Sequence, residues 1–229
     1  MSNMSSITLT QTAAVANGIC LAQAVGGAGN LTLNGGLVSG GVATLTPPRR
    51  VLVASSGANS ARVFTVVGTS RDGVAQGEEL TGIGAGGSAY TARDYATVTV
   101  VAADAACVGN ITVGTNAVAS SEWIMDNSFA TVWALSVGVV VVSGSPTYSV
   151  EYTFDDPNKQ GVSGIPDPLD YSLLPSSFSP PRAWEHPVLR GQTVTGDGNF
   201  ANLPVFAHRV TVTAGTGTVT MQSVQAGII

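Results

Sequence analysis

Charge is what this chain lacks most. Charged residues fill 10% of its 229 positions, against about 25% in an average soluble domain. Lysine occurs once, at Lys159, and no charged residue precedes Arg49. Nine Lys plus Arg against fourteen Asp plus Glu leave a net charge of −5, which argues against the basic surface of a nucleic-acid binder. Low charge joined to 44% hydrophobic residues also argues against disorder, which couples high charge to low hydrophobicity. The helix-forming residues that build a long coiled coil are too sparse for that reading.

Bulk is scarce as well. Aromatics make up 6%, so the apolar content is small and branched. The longest apolar stretch, Val132 to Val142, is eleven residues long and contains Ser136 and Gly138. A membrane-spanning helix needs about twenty residues, so no membrane partner is expected. The β-branched content of this stretch reads as a strand buried on both faces. The N-terminal MSNMSSITLTQTAAVANGIC has no basic start and no unbroken apolar core, and so does not read as a secretory signal. The two cysteines, Cys20 and Cys107, are read as buried reduced thiols; a disulfide between them has no export signal to support it.

What the chain does hold is 31 Val, 24 Thr and 28 Gly, the residues of pleated strands and of the turns between them. Period-two alternation marks strands at 8–12, 30–33, 49–54, 62–69, 97–102 and 110–115, with Gly, Asn, Asp and Ser clusters between them. Asp72-Gly73 predicts a hairpin from Arg62–Thr69 to a strand over Gln76–Ile83. A second strand-rich block follows Ser120-Ser121, with strands at 131–142, 147–154, 207–213 and 217–224. Between them lies an excursion, residues 155–182, with six prolines; a loop this long is usually functional or held against a neighbour. No stretch of twelve residues shows a helical stripe with caps. Gly29-Asn-Leu-Thr-Leu, Gly109-Asn-Ile-Thr-Val and Gly217-Thr-Val-Thr-Met repeat one pattern, read as closing strands after tight turns.

The expected fold is therefore all-β, with two antiparallel β-sandwich units of immunoglobulin-like or jelly-roll-like type and an extended N-terminal segment. The expected divisions are 1–46 as an arm or set of pairing strands, 47–120 as the first sandwich, and 121–229 as the second with its proline-rich loop. In this scheme Arg49-Arg50 marks where the arm meets the first sandwich.

A search for chemistry finds no catalytic, cofactor-binding or metal-binding constellation. Glu78 and Glu79 are adjacent in a strand and point to opposite faces, so they are read as solvent-exposed. Asp155-Asp156-Pro157-Asn158 begins like a calcium loop, but its twelfth position is Asp167, Ser163 sits at the eighth, and prolines interrupt it. His186 and His208 lack metal-ligand spacing. Gly82-Ile83-Gly84-Ala85-Gly86-Gly87 precedes no helix that would bind an anion, and reads as a connection. Trp123, Trp133 and Trp184 stand apart from basic residues, which disfavours a single-strand nucleic-acid groove. Tyr148, Tyr152 and Phe154 alternate in one strand and read as core.

Two stretches carry a resemblance. The first is RRVLVASSGANSARVFTVVGTSRDGVAQGEELTG, from Arg49 to Gly82. The second combines SPTYSVEYTFDD, AWEHPVL and LPVFAHRVTVTAGTGTVTMQSVQAG. Together, over about two thirds of the chain, they resemble tailed-bacteriophage virion structural proteins. The resemblance implies assembly without catalysis or cofactor: a homo-oligomer in the virion, put together in the host cytoplasm. It would contact the major capsid protein as a decoration or cement protein, or tail and connector proteins as a tail or collar ring. The neutral composition agrees, since a surface poor in charge resists association weakly. A carbohydrate-binding adhesin module is the rival of another class and requires an exposed aromatic patch. A polysaccharide-cleaving enzyme is the third, and requires carboxylates such as Asp155, Asp156 or Glu185 to converge.

Overall fold

Val, Thr and Ile alternating with small polar residues leave few options but strands, and a computed structural model of the chain is built from them. It describes residues 3–126, 133–155, 157, 182–201 and 204–226. The proline-rich excursion, apart from Asp155, Pro157 and Arg182, and the Asp156–Asp167 loop, apart from Pro157, lie outside the described residues. No helix occurs among those described. The chain opens with β1 (Asn3–Gln11). A first group follows: β2 (Cys20–Ala24), β3 (Gly29–Asn30), β4 (Val38–Ser39), β5 (Val42–Arg49), β6 (Val51–Ser55), β7 (Asn59–Thr69), β8 (Ala75–Ile83), β9 (Ser88–Tyr90), β10 (Tyr95–Ala103) and β11 (Asn110–Thr115). A second group runs β12 (Ala119–Ser120), β13 (Ile124–Met125), β14 (Ala134–Gly144), β15 (Thr147–Thr153), β16 (Trp184–Glu185), β17 (Gly196–Ala201), β18 (Ala207–Ala214) and β19 (Gly217–Ala226).

The first sandwich is built from residues Ala14–Asn116. One sheet runs β4-β5-β10-β7-β8, with β3 also on β10, and the other runs β2-β11-β6-β9. Phe64, Val66, Val98 and Val101 from the first meet Cys20, Val53, Ile111 and Val113 from the second in one core. Two bulges in β10, near Tyr95 and Val98, reset its alternation. The Asp72-Gly73 hairpin forms as expected, though with a longer loop. Ser70 N donates to Val74 O, Gly73 N donates to Ser70 O, and Gly73 takes φ +77, the left-handed residue of a bulged turn. Gly84 to Gly87 closes with Gly87 N donating to Gly84 O at 3.0 Å; Gly86 at φ +66 makes the connection a tight turn.

Glu78 is half-buried, not solvent-exposed. Its carboxylate accepts the Ala92 and Arg93 N–H groups at 2.7 and 2.9 Å, pinning the 91–94 loop, and burial lifts its pKa above the usual carboxylate range. Cys20 and Cys107 are both free thiols, the first buried and the second partly so. Burial pushes the Cys20 thiol up to about 12 from its ordinary 9.0. The unfolded thiol therefore ionises before the folded one. Stability is fully present below pH 9.0 and is lost as pH rises towards 12, by about 4 kcal/mol at the far end. Alkaline unfolding curves should show this slope, and it should flatten in Cys20→Ala.

The second sandwich combines β1 with the strands from β12 onward. Its sheets run β1-β19-β14-β17 and β12-β18-β15-β16, with β13 also on β18. Leu9, Leu135, Val137, Val139, Val219 and Met221 face Tyr148, Val150, Val210 and Val212 across the core. The chain passes between the sheets at two adjoining corners, Gly144–Pro146 and Gly215–Gly217, tied by Ser145 N donating to Thr216 O at 2.9 Å. Gly144 has φ +75, and a Cβ there would run into the Thr216 carbonyl. Left-handed backbone strain and this overlap together should make Gly144→Ala cost about 3 kcal/mol, read as a lowered denaturation midpoint.

Two expectations change here. Residues 1–46 are not a separate arm. β1 pairs with β19 along nine residues, Asn3↔Gln225 to Gln11↔Gly217. Ile19, Cys20, Leu31, Ala43 and Leu45 belong to the first core, and Arg49 is buried at the end of β5. A strand without charge fits a core-facing sheet as well as it fits an interface, so composition could not separate the two. The Val132–Val142 stretch, where described, is buried on one face only. Leu135, Val137 and Val139 point into the core, while Val140 and Val142 are 43% and 60% exposed.

Candidate functional site

The exposed valines of β14 belong to a continuous surface. Strands β1, β19, β14 and β17 contain one charged residue, Asp197. Because alternate residues face opposite ways, the residues that do not enter the core line up in rows across the open face. Met4, Val224, Ser136 and Asn199 make one row, and Ser6, Gln222, Gly138 and Asp197 the next. Thr8, Thr220 and Val140 make a third. Thr8 and Thr220 hydroxyls lie 2.9 Å apart, and Thr10 and Thr218 hydroxyls 3.0 Å, so neighbouring strands are laced on their outer side. Gly138 has no side chain and leaves a shallow recess between Ser136, Asn199 and Gln222. Met4, Val142, Val140 and Val224 are exposed on a face without lysine or arginine.

The opposite sheet of this sandwich is polar in a different way. Glu151 and Glu185 are cross-strand neighbours, a like-charge pairing that costs stability unless compensated. Each has a counterion. Arg209 donates to Glu151 Oε2 at 2.7 Å and stacks on Trp123, 4.3 Å from the ring centroid. Glu185 pairs with Arg190 at 3.1 Å and accepts the Ser149 hydroxyl at 2.8 Å. Trp123 is therefore not isolated from basic side chains, and neither is Trp184, whose ring lies 5.7 Å from Arg182. Their partners come from other strands or from two residues along, so sequence separation misled here.

An aromatic cluster sits at the end of β15. Tyr148 is buried in the core, as expected. Tyr152 stacks on Trp184 at 6.1 Å and meets Phe200 edge-on at 5.2 Å, and Phe154 meets Trp184 at 5.2 Å. Phe154 and Trp184 are 45% and 37% exposed, so this part of the cluster reaches solvent. Asp155 flanks it, bonded to the Arg182 N–H at 3.0 Å.

Both histidines are buried and hydrogen-bonded within the second sandwich. His186 Nδ1 accepts the Val188 and Leu189 N–H groups at 3.2 and 3.1 Å, and Nε2 donates to Asn199 O at 3.1 Å. This bonding assigns the neutral tautomer protonated at Nε2. His208 is fully buried with Nδ1 2.8 Å from Asp126 Oδ2. Among the described residues no group of three or more His, Cys, Asp or Glu is placed to hold a metal ion.

Comparison with models of known protein families, with curated proteins and with solved structures finds no match to this chain. Sequence reasoning missed the open face, although a signal was present. The three longest charge-free windows are 1–48, 127–150 and 210–229, and β1, β14 and β19 come one from each. Only the pairing of strands more than seventy residues apart shows that these windows meet.

Proposed function

We propose that this chain is a non-enzymatic structural component of a bacteriophage virion, assembling as a homo-oligomer on the capsid as a decoration or cement protein. The observation that carries the assembly reading is the open four-stranded face, with its exposed Met4, Val140, Val142 and Val224 and its laced threonines. Burying the part of this face formed by β1, β19 and β14, which carries no charge, leaves no unpaired charge behind, and apolar patches ringed by polar residues mark interaction sites. The virion assignment rests on the resemblance of Arg49–Gly82 and of the C-terminal stretches to phage structural proteins. Light scattering of the purified protein should report an oligomer, and a subunit placed on the capsid in a virion reconstruction would support the position. A monomer persisting at high concentration would sink the assembly reading.

The exposed ring cluster favours a second reading, a carbohydrate-binding adhesin module. Phe154 and Trp184 present apolar ring surface beside Asp155 and Arg182, and a sugar stacks its C–H face on such a surface while its hydroxyls meet charged groups. Glycan-array binding that disappears in Trp184→Ala would favour it.

A further inference from the structure

The sheet edges of this molecule differ in how they are guarded. An exposed edge is a template for another strand, and proteins blunt it with charge, proline, bulges, shortness or a covering loop. Among the described strands, β4, β12, β13 and β16 have two residues each, and β9 has three. β8 carries Glu78 and Glu79. β17 carries Asp197 and two glycines. The edge of β2 is covered by the 31–34 segment, through Leu21 N donating to Asn34 Oδ1 at 2.8 Å and Thr32 N donating to Gln23 Oε1 at 2.9 Å.

Among the described residues, β1 has none of these devices. It is nine residues long, without charge, proline or glycine, and pairs with β19 in unbroken register. No described strand lies on its other side.

We infer that β1 is the contact strand between two copies of this chain, pairing antiparallel with its own counterpart about a twofold axis and joining two four-stranded sheets into one of eight. The inference rests on the homo-oligomeric reading above and names the surface that would produce it. A second copy fits for two reasons. An antiparallel strand is its own complement, because a twofold axis presents the same donors and acceptors in reverse order. Each chain also carries a net charge of −5, so two copies approach at least cost where charge is absent, and β1, β19 and β14 have none. Pairing there extends the laced neutral face across both copies.

The test combines charge and cross-linking. Ser6→Lys/Thr8→Lys places like charges beside each other across the twofold, and should weaken self-association at least tenfold by sedimentation while leaving the far-ultraviolet spectrum unchanged. In a Cys107→Ser background, Ser6→Cys and Thr8→Cys, alone and mixed, should give disulfide-linked dimers under mild oxidation, and Val140→Cys on the face should not. If the lysine variant fails to fold, the cross-links decide. A wild-type monomer overturns both this inference and the assembly reading. A wild-type oligomer that yields no β1 cross-link overturns this inference alone and leaves assembly to another surface.

Discussion

A chain lacking residues 1–12 should fold its first sandwich and lose its second. Leu9 is 2% exposed in the second core, and its truncation alone would cost about 2–5 kcal/mol. Deletion also strips β19 of a nine-residue partner and leaves Val219 and Met221, both buried, beneath an opened edge. Against a typical domain stability of about 5–15 kcal/mol, that loss is decisive. Amide spectra should retain the dispersed signals of residues 14–116 and lose those of the C-terminal half. Extending the deletion to residue 46 removes Ile19, Cys20, Leu31, Ala43 and Leu45 from the first core and should unfold both sandwiches. A folded 47–229 fragment would overturn this placement of the N-terminal strands.

The second large effect is expected at Asp126. Its side chain is 3% exposed and lies 2.8 Å from Nδ1 of His208, which is 0% exposed. The other ring nitrogen of His208 is buried without a hydrogen-bond partner among the described residues, so the ring depends on Asp126. Removing one member of a buried, hydrogen-bonded pair strands the other, at a cost of about 3–5 kcal/mol. Asp126→Ala should therefore lower the urea midpoint strongly with an unchanged slope. Replacing both residues with leucine should recover much of the loss, because the desolvated polar groups disappear together. If Asp126→Ala shifts stability by less than 1 kcal/mol, roughly the worth of an ordinary net hydrogen bond, the pair is not the anchor described here.

Local features carried over well from sequence to structure. Strand 110–115 was marked by alternation alone and is β11, Asn110–Thr115. Asp72-Gly73 gave the β7–β8 hairpin, because a left-handed glycine is a local requirement. The three Gly-polar-apolar-Thr-apolar repeats begin at Gly29, Gly109 and Gly217, all with positive φ, which explains why glycine recurs at that position. Glu78 was legible as a strand residue but not as a loop anchor, since its partners lie fourteen and fifteen residues on. The aromatic cluster was half legible: Tyr148 is core, but Tyr152 and Phe154 lead out of the core towards Trp184, a cross-strand neighbour.

Composition and alternation thus determined by themselves that this chain is all-β, because Val, Thr and Gly in period two satisfy the backbone only as strands and turns. Which strands belong together was decided by tertiary structure. A neutral strand has no preference, in its own residues, between a core sheet, an interface and an arm. Leu9 settles the matter for β1 by packing into a core whose other fully buried members come from residue 119 onward. The same packing turns three charge-free windows into one open face, with no described strand beyond β1 at its edge. Burial of one side of each strand fixes what the other side presents, and that is a property of the sheet rather than of any segment in it.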